Sequence, residues 1–154
     1  MKKRTRAREL ALQFLYQLDV RGKEILPELS AFLGTEERDP ETLQYAKSLV
    51  QGVEEHRDAI DEHIRSVAQN WEIGRMAIID RNVLRLATYE LTHVPEIPLK
   101  VAINEAIELG KRFSTQNSGG FINGVLDKVK DRFACPRASD GKAQKKGAER
   151  PQVD

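Results

Sequence analysis

The chain has 154 residues, with 25 Lys plus Arg against 24 Asp plus Glu and 40% apolar side chains, a balance that excludes disorder of the chain as a whole. No apolar run approaches the roughly 20 residues a membrane-spanning helix needs, and Met1-Lys2-Lys3-Arg4 has no apolar stretch behind it of the kind a secretory signal carries. Cys135 is the single cysteine, which excludes an internal disulfide framework and a cysteine-based zinc cluster, so one domain or two small halves in the reducing cytoplasm is expected.

The apolar spacing is helical almost throughout, and no convincing alternating strand appears. A first helix is predicted from about Thr5 to Val20, with Ala7, Leu10, Ala11, Phe14, Leu15 and Leu18 on one side and Gly22 ending it. A short second helix is predicted from Lys23 to Leu33, stopped by Gly34. The third has the clearest start, because Asp39 can cap, Pro40 suits the first helical position and Glu41 favours the positive helix end. Its apolar series (Leu43, Ala46, Val50, Val53, Ile60, Ile64, Val67) steps by threes and fours except for one seven-residue gap at Arg57. Unbroken, it would span roughly 42 Å, unless Gly52 bends it.

Residues 70–76 break the pattern and read as a joint between halves. A fourth helix, about Ala77 to His93, is apolar on so broad a side that it belongs at the centre. A fifth runs from about Leu99 to Phe113. Ser118 is a plausible cap for a last helix to about Phe133. The expected architecture is all-α: six to seven helices in a domain over 1–133, grouped by threes into halves of about 1–70 and 76–133. The tail, 134–154, contains no Ile, Leu or Phe and is expected to be disordered.

Enzymatic signatures are absent: no phosphate-binding glycine loop, no dinucleotide fingerprint and no zinc-protease pair of histidines. His56 and His63, seven apart, could join Glu55, Asp58 or Glu62 around a metal. A solvated charged face explains them better, since metal sites on helices use i, i+3 or i+4 pairs. No cofactor, metal or catalytic group is therefore expected.

The charge is split. Residues 1–8 carry five basic side chains (Lys2, Lys3, Arg4, Arg6, Arg8) and no acid, and 134–154 carry five basic against three acidic; subtracting these from the total of +1 leaves the body at −6. Cations at a helix start oppose the macrodipole, so such an arm points to a polyanion, with a frayed solubilising terminus as the alternative. Arg6, Glu9, Gln13 and Tyr16 form a stripe opposite the core side, placing an aromatic ring beside cationic and amide groups, as in proteins that hold single-stranded RNA. The alternative is a tyrosine covering a neighbouring helix. The polar segment Gln116, Asn117, Ser118 and the glycine pair lead to Phe121, either a second stacking surface or simply core. Asp80, Arg81, Arg85 and Tyr89 make a further stripe. It can be a partner surface, or Arg85 can pair with Glu90 or with the acidic third helix.

Three blocks carry a resemblance: Arg6-Ala-Arg-Glu-Leu-Ala-Leu-Gln-Phe-Leu-Tyr16; Asp80-Arg-Asn-Val-Leu-Arg-Leu-Ala-Thr-Tyr-Glu-Leu91; and Ile97-Pro-Leu-Lys-Val-Ala-Ile-Asn-Glu-Ala-Ile-Glu-Leu109 with Phe121-Ile-Asn-Gly-Val-Leu-Asp127. On these the chain resembles the NusB family of transcription antitermination factors. The resemblance implies a non-enzymatic, all-helical protein that binds the boxA element of nascent ribosomal RNA with NusE, a small-subunit ribosomal protein. The pair then joins an RNA polymerase complex that resists termination. It carries RNA contact onto Lys2, Lys3, Arg4, Arg6, Arg8, Tyr16, Phe121 and the loop Gln116, Asn117, Ser118, beside Gln13 from the stripe. NusE contact falls on Asp80, with Arg81 and Arg85 as further partner candidates. Self-association occurs among such proteins and would occlude the arm. Gly119-Gly120 departs from the basic or bulkier residues of many relatives. Two rivals follow: an RNA-modifying enzyme, since NusB-like domains precede some RNA cytosine methyltransferases, and a structural adaptor that binds protein alone.

Overall fold

Nearly all the periodic apolar positions fall on α-helices, and identifiable residues set the breaks between them. A computed structural model describes residues 2–68 and 72–138. Helix α1 spans Lys3–Arg21 and ends at Gly22, whose φ of 101° lies in the region that favours glycine. The segment Lys23–Glu28 is a 3₁₀ turn around Pro27, and α2 spans Leu29–Glu36. The predicted single helix from Lys23 is thus divided, because proline removes a backbone donor. Gly34 does not stop α2; its φ is not positive, and the helix runs through it.

Helix α3 spans Pro40–Glu55, and Asp39 caps it as expected: Oδ2 accepts from the Thr42 N–H and hydroxyl, both at 2.9 Å. The long third helix breaks at His56 (φ −108°, ψ 19°), and α4 spans Arg57–Val67. The break coincides with the gap in the apolar series. One turn earlier, Gly52 lies against the Tyr89 ring so closely that a Cβ there would sit 2.1 Å from Cζ.

A 3₁₀ turn covers Ile73–Arg75; residues 69–71, within the expected joint, lie outside the described residues. Helices α5 (Ile78–His93), α6 (Leu99–Phe113) and α7 (Ser118–Phe133) follow. Helix α5 packs against α1, α3, α4, α6 and α7, the central place its broad apolar side required. Two apolar clusters result. One joins α1, α2 and α3 with Leu86 of α5; the other joins α4 to α7 with Leu12 of α1. The sequence reading grouped everything up to about residue 70 with the first half. In the structure Ile60, Ile64 and Val67 pack in the second cluster, so the chain crosses over at the α3–α4 break.

Beyond α7 the chain does not leave the protein at residue 134. The Cys135 N–H donates to the Leu91 carbonyl and the Ala138 N–H to that of Pro95, each at 3.0 Å. Arg137 is buried, and its guanidinium donates to the carbonyls of Leu91, Val94 (3.0 Å) and Ile97 (2.8 Å). The Leu91 and Val94 carbonyls are among those that the end of α5 leaves without helical partners, and Ile97 belongs to the loop that follows. The expectation of disorder from 134 onward therefore fails for 134–138; residues 139–154 lie outside the described residues.

Candidate nucleic-acid interface

The leading cations are less free than their sequence implied. Lys2 is exposed, but Lys3 pairs with Asp39 (3.3 Å) and Glu41. The Arg4 guanidinium lies 4.5 Å from the centroid of the Tyr45 ring. Arg6 reaches Glu9 (3.3 Å), Glu37 (3.5 Å) and the Glu36 carbonyl (3.2 Å). The acidic turn between α2 and α3 thus supplies the countercharge that the arm seemed to lack. Such solvent-screened pairs are weak and can be exchanged for a phosphate.

Arg8 differs in kind. It is 2% exposed, and its Nε donates to both carboxylate oxygens of Glu90 (3.1 and 2.9 Å), while Nη1 lies 3.3 Å from Glu105. Tyr45 donates its hydroxyl to the same Glu90 carboxylate. Burial pushes the Glu90 carboxyl above the ordinary carboxylate range, against the pull of Arg8 and Tyr45. Burial, with the Glu90 charge and hydrogen bond, pushes the Tyr45 phenol well above its ordinary value. Arg8 is therefore a structural tie between α1, α5 and α6 rather than an outward RNA contact.

Along α1, Glu9 is buried between Arg6 and Arg112 and is not part of an exposed stripe. Gln13 is half-buried. Tyr16 is 39% exposed, with its ring open to solvent as the stripe required.

The second cluster stands at the start of α7. Gln116 and Asn117 are exposed, whereas Ser118 is buried. The Ser118 hydroxyl accepts from the Thr115 N–H (3.3 Å) and lies 3.2 Å from the Thr115 hydroxyl, so it closes the turn rather than facing a ligand. It is the first residue of α7, and Asn117 takes the cap position without a side-chain bond. Phe121 is half-buried against the second apolar cluster. It lines a groove of about 340 Å³ together with Asn117, Ser118, Met76, Ala77 and Asp80. The fold thus brings Asp80 and Phe121 to one groove. Asp80 Oδ1 is buried and accepts no hydrogen bond among the described residues.

The rest of the α5 stripe is turned inward. Arg81 holds Asp19 through two bonds of 2.7 Å. Arg85 is buried and reaches Asp61 (2.8 and 3.2 Å) and Asp19 (3.1 Å). Partial burial raises Asp19, but Arg81 and Asn82 hydrogen-bond it and Arg81 and Arg85 add positive charge, which takes it down to about 2. Arg85 is thus a bolt between α1, α4 and α5, not a partner surface. Its pairing with the acidic segment after residue 56 was one of the two readings open in the sequence; the other partner, Glu90, belongs to Arg8. His56 stacks on His93 and His63 on Phe133, each with centroids 4.0 Å apart. Among the described residues no group of three or more metal-donor side chains is gathered.

Two apolar clusters bolted by buried ion pairs, with an exposed tyrosine and exchangeable cations on the first helix, define an all-helical binding module. Comparison with known proteins narrows the class. The NusB family model matches residues 5–131. The transcription antitermination protein NusB of Anaeromyxobacter dehalogenans is 54% identical over 128 residues, covering 82% of this chain and 89% of that protein. NusB of Bacillus cereus is 47% identical over 131 residues, 85% and 98% of the two chains. Among solved structures, T. maritima NusB superposes with a TM-score of 0.76 at 36% identity, over 86% of this chain and 93% of that one. A structure of the antitermination factors NusB and NusE in complex with dsRNA gives 0.78 at 27% identity, over 86% and 99%. The chain belongs to the NusB family of transcription antitermination proteins, which is non-enzymatic.

Proposed function

We propose that this protein binds the boxA element of nascent ribosomal RNA leaders in the bacterial cytoplasm, jointly with NusE, and so helps RNA polymerase resist termination. The observation that carries the reading is the exposed Tyr16 ring on the helix that opens with Lys2, Lys3, Arg4 and Arg6. An unstacked base can lie on that ring while the arm exchanges weak internal pairs for phosphates. The Asp80–Phe121 groove is the proposed meeting place of protein partner and RNA: Phe121, Gln116 and Asn117 address the RNA, and the Asp80 carboxylate offers an acceptor to NusE.

A titration of labelled boxA-like single strand, with a duplex of the same sequence as control, tests this with and without NusE. Four phosphates neutralised by the arm contribute about −2.8 to the slope of log affinity against log salt, so affinity should fall at least roughly fiftyfold between 50 and 200 mM. RNA retained neither alone nor with NusE would instead favour a purely protein-binding adaptor.

A further inference from the structure

The sequence reading stopped at the arm, the tyrosine and the loop before α7. The structure sets one more pair of cations between them. Side chains of helix α6 reach the first turns of α1: Thr5 donates to Glu105 at 2.9 Å, Arg8 approaches Glu105 at 3.3 Å, and two turns on Arg112 meets Glu9 at 2.5 Å. Arg112 therefore stands one turn short of Gln13 and two turns short of Tyr16 along α1. Its side chain is 46% exposed and its guanidinium lies 5.1 Å from the Phe113 centroid, so it is oriented by a carboxylate and a ring while still facing water.

Lys111 lies on the other side. Its stem crosses the first turn of α7 at Gly119, where a Cβ would come 2.9 Å from the lysine Cε and 3.4 Å from its Cγ. Gly119 is thus the space through which Lys111 passes. The only carboxylate near its ammonium among the pairs of the described residues is Glu108, at 4.0 Å and 65% exposed, a contact too weak to hold it. Gly120 has open space around it and crowds nothing.

We propose that Lys111 and Arg112 form a phosphate clamp that carries the RNA backbone from the Tyr16 face of α1 to the Gln116–Asn117 turn before α7. The clamp rests on the RNA-binding reading given above and adds two residues to it. Arg112 exchanges Glu9 Oε2 for a phosphate, while Arg6 keeps Glu9 Oε1 through Nη1 and exchanges only Glu37 and the Glu36 carbonyl, so the Glu9 carboxylate retains one cation. Lys111 adds a mobile point charge where the glycine pair itself provides none.

The test is anisotropy titration of the same labelled single strand on the full chain with NusE, across a salt series. The proteins are wild type, Lys111→Gln, Arg112→Gln, the double variant, the charge-keeping double K111R/R112K and, as reference, Tyr16→Ala. The double glutamine variant should weaken binding at low salt and reduce the magnitude of the salt slope by about 1.4, or 0.7 for each lost phosphate contact. Each single variant should give about half of that, and K111R/R112K should keep the wild-type slope. Lys111→Gln should melt as wild type, since its one carboxylate neighbour is exposed. Arg112→Gln takes one of two cations from the buried Glu9, so its affinity is read beside its melting temperature, and K111R/R112K separates a folding loss from a lost phosphate contact. A double-variant slope equal to wild type, with Tyr16→Ala clearly weakened, would overturn the clamp and leave the RNA reading standing. A wild-type protein that retains no RNA would overturn both.

Discussion

Removing Arg8 should unfold this protein far more readily than removing any other cation of the arm. Its partner Glu90 is fully buried and hydrogen-bonded by Tyr45, so Arg8→Ala leaves a carboxylate with one neutral donor and no paired cation, with Arg4 acting on it only from a distance. Breaking a buried pair from one side costs about 3–5 kcal/mol, which at this chain length lowers the melting midpoint by roughly 10–20 °C. The loss should also depend on pH. Burial already raises Glu90, and without Arg8 its folded-state value rises further. Between the unfolded value and that raised value, the folded protein holds a proton that the unfolded chain releases, so stability falls as pH rises. The deficit against wild type should therefore be smaller at pH 5 than at pH 8. Urea denaturation followed by circular dichroism at both values measures it. The neutral pair R8M/E90Q should recover more than half of the loss. A deficit below about 1 kcal/mol, or one equal at the two pH values, would refute the buried-pair assignment.

Three further outcomes follow from other contacts. Asp19, held at about 2, supports the fold above its ordinary value of 3.8 and loses that contribution as pH falls from there through about 2. Asp19→Asn should flatten that part of the acid-unfolding curve, and an unchanged curve would contradict the assignment. Gly52→Ala should destabilise by about 1–3 kcal/mol in thermal melts, because the new methyl would meet the Tyr89 ring, itself stacked on His93 with centroids 5.2 Å apart. Arg137→Ala should strip the donors from the end of α5, cost about 1–3 kcal/mol and open the chain after Phe133 to limited proteolysis; wild-type cleavage kinetics would argue against the docked segment.

Much of the fold was legible because the apolar positions repeat at helical spacing and the stop signals are chemical. Asp39-Pro40 opens α3 and Gly22 closes α1 as read. The misreadings are tertiary. The division at His56 shows in the sequence as a gap in the apolar series and a glycine one turn earlier, but the reason for that glycine, the Tyr89 ring, lies 37 residues away. The candidate surface was legible where exposure follows from helix geometry, as at Tyr16. It was misread where a cation finds a distant carboxylate: Arg8 with Glu90 is a contact that charge counting along one helix cannot supply, whereas the pairing of Arg85 with the acidic third helix was one of the readings the sequence left open. Arg137 was missed because a single arginine in a polar tail carries no periodic signal.

The most direct measurement is the affinity of Tyr16→Ala for labelled boxA-like single strand in the presence of NusE, read beside its melting temperature. Loss of a base stacked on the ring should weaken binding by about 1–3 kcal/mol, roughly tenfold to a hundredfold. The melting temperature should stay put, because the ring is open to solvent. Wild-type affinity in that variant would contradict the claim that this face of α1 holds RNA.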